Sequence, residues 1–74
     1  MTRLPRVTAT DIVKALKKAG FELVRQSGSH MIFRNIDGRR TTLPFHTGKT
    51  LHPKLLKSIL KDADLSVEAF NELL

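Results

Sequence analysis

The chain has no cysteine. Disulfide staples and cysteine-ligated zinc are thereby excluded, and such a composition suits the reducing cytoplasm. Tryptophan and tyrosine are missing too, leaving four phenylalanines as the whole aromatic complement. A broad aromatic platform for stacking nucleobases cannot be assembled from that supply. No apolar run approaches the ~18–20 residues of a membrane-spanning helix. The first residues, Met1-Thr2-Arg3-Leu4-Pro5-Arg6-Val7, lack the apolar stretch of a secretory signal. A membrane is therefore not an expected partner.

Acidic residues are scarce. Seven Asp and Glu face thirteen Lys and Arg, a net charge of +6 over 74 residues. An excess of that size suits a polyanionic partner, nucleic acid first and an acidic protein second. The same excess also suits an ordinary soluble domain with solvated lysines. With 41% apolar and 27% charged residues the chain reads as globular, not disordered. One domain over residues 1–74 is expected, burying only ~60% of the surface its unfolded chain exposes.

Residues 1–7 read as an extended arm, because Pro5 disfavours helix just before it. Thr8 or Thr10 can cap a first helix over residues 9–19, with Asp11 three positions after Thr8. Ile12, Ala15, Leu16 and Ala19 recur at helical spacing, Lys14, Lys17 and Lys18 lie on the other side, and Gly20 ends the run. Residues 21–26 carry strand formers, and Ser27-Gly28-Ser29 reads as a turn. His30 to Arg34 is a second strand, Asn35-Ile36-Asp37-Gly38 a hairpin turn, and Arg39 to Phe45 a third strand. Pro44 cannot donate to a ladder, so that strand lies at an edge or ends there. After the loop His46-Thr47-Gly48-Lys49-Thr50, Pro53 suits the first turn of a second helix with Leu55, Leu56, Ile59 and Leu60 as its apolar stripe. Ser66 caps a short last helix with Val67, Phe70 and Leu74 on one face. The expected class is α+β: helix, three-stranded antiparallel meander, helix (αβββα), plus a short C-terminal helix. Both main helices are expected on one sheet face, leaving the other open.

His30 draws attention because a neutral imidazole can take or give a proton near pH 7. Gly28 and Ser29 just before it would let a phosphodiester backbone come close and would offer it main-chain N–H groups. Its plainer reading is a half-buried strand histidine. His46 and His52 lack a zinc-type spacing, so no metal site is expected. His46 follows the third strand and can lie near His30 or contact substrate, while His52 can cap the second helix. The carboxylates form no dyad of the kind two-metal nucleases need. Ser27 and Ser29 would need an activating base, and Ser29 points away from its neighbour His30 on a strand. Arg25, Arg34, Arg39 and Arg40 lie on strands around His30, where guanidinium groups can pair with phosphates.

Gly28-Ser29-His30 after a helix and a strand, Asp37-Gly38, Leu43-Pro44-Phe45-His46-Thr47-Gly48-Lys49 and Leu56-Lys57-Ser58-Ile59-Leu60, in this order, resemble the HicA family of toxins over roughly Leu4 to Leu74. The resemblance implies a fold like a double-stranded-RNA-binding domain, ribonuclease activity against messenger RNA, and a cognate HicB-type antitoxin protein. The family's catalytic histidine falls on His30 and its preceding glycine on Gly28. Its Pro-x-His element falls on Pro44 and His46. The chain departs from the family pattern at Pro53-Lys54-Leu55, where a glycine and a threonine are usual, and at Asp64, where many members carry glycine.

These readings together describe a cytoplasmic, metal-independent, cofactor-free endoribonuclease acting on RNA's own 2′-hydroxyl. His30 is the expected catalytic residue. Gly28, Ser29, Arg25, Arg34, Lys49 and His46 are expected to bind RNA or support the site. The alternative is a non-catalytic module that holds double-stranded RNA by its shape. A tight protein partner is expected to inhibit by covering His30, steered there by charge.

Overall fold

A computed structural model describes residues 4–46 and 48–74. Met1, Thr2 and Arg3 of the expected arm and Thr47 of the expected loop lie outside the described residues. The elements run α1 (Ala9–Lys18), β1 (Glu22–Ser27), β2 (His30–Arg34), β3 (Arg40–Pro44), α2 (Pro53–Ala63) and α3 (Val67–Leu73). The αβββα order with its extra C-terminal helix is as the sequence implies.

Each helix starts where a side chain can accept an otherwise unpaired N–H. At α1 the Thr8 hydroxyl accepts from the Asp11 N–H at 3.4 Å, and the Asp11 carboxylate accepts from the Thr8 N–H at 3.0 Å. Thr8, not Thr10, is the cap. These bonds, first from the Thr8 backbone and then from its hydroxyl, hold the Asp11 carboxyl below the ordinary aspartate range. At α2 the His52 Nδ1 accepts from the Lys54 N–H at 3.1 Å. At α3 Ser66 accepts from Ala69 at 3.0 Å. The stops are alike in α1 and α2. Phe21 N–H reaches the Leu16 carbonyl at 2.9 Å, and Leu65 N–H reaches that of Leu60 at 2.9 Å. This pairing needs a left-handed residue just before. Gly20 (φ +93°) supplies it after α1 and Asp64 (φ +55°) after α2.

The sheet is antiparallel in the order β1-β2-β3. The core draws Val7, Ile12, Leu16, Phe21, Phe33, Leu43, Leu56, Ile59, Leu60 and Phe70 into one buried cluster with the helical alanines Ala9, Ala15 and Ala63 beside them. Phe33, Leu43 and Thr41 are buried, and Met31 packs against the cluster, so the helical layer covers the sheet face these residues share. Three local readings need correction. Ser27 belongs to β1, so the turn is Gly28-Ser29 alone. Arg39 lies just outside β3, and its guanidinium sits 3.7 Å from the Asp64 carboxylate. Residues 4–7 carry no helix, as expected of an arm, and Val7 anchors them: it is buried, its carbonyl accepts from the Leu51 N–H at 2.8 Å, and Thr8 bridges to Thr50. In α3 Leu73 packs on the core while Leu74 is half exposed, because seven residues turn Leu73 inward with Phe70.

Candidate active site

The register of the sheet decides what stands beside His30. Residues directly opposite one another across antiparallel strands project to the same face. Ser27 pairs with His30, and His30 pairs with Pro44. One step along, Arg25 pairs with Ile32 and Ile32 with Thr42. At the far end Glu22 pairs with Arg34 and Arg34 with Arg40. These three rows form the face away from the helices. His30, Ser27, Arg25, Arg34, Arg40 and Thr42 are all exposed there.

A bulge makes this arrangement possible. Leu23 pairs with Phe33 on the core face, and the register then shifts before Arg25. Val24 is the extra residue, half exposed at 51%. Strict alternation from Leu23 would send Arg25 and Ser27 to the core face. The added residue turns both onto the face of His30, the kind of re-aiming that bulges perform.

The turn before His30 has its own logic. Gly28 has φ +59° and Ser29 does not share the left-handed region, the pattern of a two-residue hairpin with glycine first. No atom lies within 4 Å of where a Gly28 Cβ would be. Glycine is therefore required by the turn, and clearance for an approaching backbone is a by-product. The Gly28 carbonyl accepts from the Gln26 side chain at 3.3 Å, and the Ser29 carbonyl from the Phe45 N–H at 2.7 Å. Both bonds fix the loop from which His30 emerges.

On the other flank, Pro44 opens onto a small hollow of about 130 Å³ shared with His46, Lys49 and His52. His46 and Lys49 are thus brought to the end of the His30 row, and the Lys49 N–H approaches the His46 carbonyl at 3.5 Å. His52 is the α2 cap. Since its Nδ1 accepts, the ring proton sits on Nε2. Among the described residues no group of three or more His, Cys, Asp or Glu is gathered closely enough to hold a metal ion. No described helix is long and apolar enough to cross a membrane.

Ser27 is the neighbour of His30 that the sequence reading missed. Its signal was present: a Gly-Ser pair closes a two-residue hairpin, which sets the flanking residues opposite each other. Arg40 joined the face by the same register. Ser29, in the turn itself, does not lie in the His30 row.

Against known families, residues 9–65 match the family described as HicA toxin of bacterial toxin-antitoxin. The chain belongs to the HicA toxin family. That match spans α1, the whole sheet and α2, so every residue of the three rows lies inside it. A search of curated proteins returned no match. The family assignment makes this HicA chain a toxin of a toxin–antitoxin system.

Proposed function

We propose that this HicA protein is a metal-independent endoribonuclease that cleaves mRNA in the cytoplasm through His30 and so blocks translation. The observation that carries the reading is the exposed row Ser27–His30–Pro44, with Arg25 and Arg34 on the same face. No strand of RNA could reach a histidine on the opposite, helix-covered face.

The chemistry follows from what RNA brings with it. His30 takes the proton of a 2′-hydroxyl as general base. The 2′-oxygen forms a bond to phosphorus, the bond from phosphorus to the 5′-oxygen breaks, and water protonates the leaving oxygen. A 2′,3′-cyclic phosphate and a 5′-hydroxyl result. The Ser27 hydroxyl stands across the ladder, with its Cα about 5.5 Å from that of His30, and can orient the imidazole. Arg25 and Arg34 hold the flanking phosphates, and Lys49 offsets the negative charge on the reacting one. Gly28 and Ser29 fix the hairpin that presents the base, and His46 lines the hollow beside Lys49. A cognate HicB-type antitoxin is the inhibitory partner, covering the His30 face.

Purified protein incubated with end-labelled RNA tests this. Cleavage is expected in the presence of EDTA, with cyclic phosphate ends, and a DNA strand of the same sequence should stay intact because it lacks the 2′-hydroxyl. His30→Ala should lower the rate by ~10²–10⁴-fold. A fully active His30→Ala protein, or activity lost to EDTA, would overturn the mechanism. A shifted but uncut RNA band would instead favour a binding module.

A further inference from the structure

Beside the face that carries His30 runs a groove between β3 and α2. It has a volume of about 530 Å³ and is lined by Ile32, Arg40, Thr41, Thr42, Ser58 and Asp62. That volume lies within the ~300–1,000 Å³ of ordinary small-molecule sites. We propose that this groove binds one nucleobase of the RNA, that the base is guanine, and that it belongs to a nucleotide next to the one cut. The proposal rests on the ribonuclease reading only for the position of the cut.

Ile32 follows His30 by two residues on the same strand and face. That is a displacement of roughly 7 Å, comparable to one nucleotide step along an extended strand. A strand lying over His30 and running toward Arg34 therefore carries its next base over Ile32, the half-buried apolar floor of the groove.

The groove's walls suit a base better than a phosphate. Asp62 would repel a phosphate, whereas Arg25 and Arg34 lie outside the groove and are free of any carboxylate partner among the described residues. Arg40 and Asp62 line the same space, yet no ion pair joins them; the described ion pair is Arg39 with Asp64. A separated guanidinium and carboxylate match guanine. Its O6 and N7 accept from the guanidinium, and its N1–H and amino group donate to the carboxylate. Adenine offers a carboxylate no such pair of donors, and the pyrimidines offer no O6/N7 pair.

Further polar groups face the same space without partners. Asn35 N–H bonds the Arg39 carbonyl, and Phe45 N–H bonds that of Ser29. Hydrogen bonding between β2 and β3 alternates from these two pairs, so Phe33–Thr41 and Met31–Leu43 are bonded and Arg34–Arg40 and Ile32–Thr42 are not. The main-chain N–H and C=O of Arg40 and Thr42 therefore point outward from the β3 edge. Thr41 also lines the groove, is 2% exposed, and its hydroxyl has no hydrogen-bond partner. That hydroxyl lies on the helix-covered face, so the groups a base edge meets from the groove are the outward N–H and C=O of Arg40 and Thr42.

The test uses short RNAs containing one guanine, or inosine in its place, since inosine lacks only the amino group that Asp62 would bind. Equilibrium binding to the His30→Ala protein is measured first, so that cutting plays no part. Guanine is expected to bind about tenfold more tightly than inosine, and Asp62→Ala should abolish the difference, as one good bidentate contact is worth that order of discrimination. Arg40→Ala, also at an exposed position, should narrow the preference for guanine over adenine, because no guanidinium then meets O6 and N7. Cleavage mapping with the His30 protein should then find guanine beside the cut. Equal affinity for guanine, inosine and adenine, or an unchanged preference in Asp62→Ala, would overturn the groove proposal even if RNA is cut. A guanine preference without any cutting would uphold the groove and overturn the ribonuclease reading instead.

Discussion

Two residues share a positive φ and demand opposite substitutions. Gly28 and Asp64 have φ of +59° and +55°. An L-residue in that region carries a cost of ~1–2 kcal/mol that glycine escapes. Nothing crowds a Cβ at Gly28, so the penalty there is purely that of the backbone. Gly28→Ala should lower stability by about 1 kcal/mol, read as a fall of ~4–8 °C in the melting temperature. At position 64 the fair comparison is Asp64→Gly with Asp64→Ala, since both lose the exposed contact to Arg39. The glycine variant should be the more stable by about 1 kcal/mol. A tie between the two would mean that Asp64 does not hold the left-handed turn in solution. The family's usual glycine after this helix, replaced here by Asp64, is thus explained by the turn and not by the site.

Among the elements, those with a strong local signal were legible in the chain. Thr8 with Asp11, Pro53 and Ser66 marked helix starts, Gly20 and Asp37-Gly38 marked ends and turns, and Pro44 marked an edge. Pro44 sits on β3, opposite His30, at a non-bonded position where its missing N–H costs no ladder bond. The bulge was not legible, because one surplus residue shows only against the strand that fails to match it. Nor was the groove, since Ser58 and Asp62 meet Thr42 only after α2 has packed along β3. The bulge makes a sharp prediction. Deleting Val24 leaves Arg25 opposite Ile32 in a regular ladder and should preserve RNA affinity. Deleting Gln26 moves Arg25 opposite Met31, onto the other face, and should remove one phosphate contact. The salt dependence of RNA affinity, measured with the His30→Ala background, should then weaken by roughly 0.7 in log–log slope. Equal slopes for the two deletions would show that Arg25 does not touch RNA.

At the level of the whole molecule the positive charge is divided between two sides. Arg25, Arg34 and Arg40 stand on the open sheet face, while Lys14, Lys17 and Lys18 are exposed on α1 within the layer that covers the opposite face. Charges so far apart are largely screened from one another at ~0.15 M salt, where the Debye length is about 8 Å. If RNA lies on the sheet face, replacing the three lysines with Gln should change kcat/KM by less than about threefold at that ionic strength. A loss of ten-fold or more would move the RNA to the helical side and revive the binding-module reading. An open sheet face also raises the matter of self-association, because unpaired strand edges recruit further strands. Here one margin is kinked by Val24, and the other ends in Pro44, with a ring where a docking strand would need a donor. The bulge on one margin and the missing donor of Pro44 on the other leave only the short stretch of Arg40 and Thr42 with outward groups, so a second copy finds little edge to extend and the bare surface can be kept for RNA.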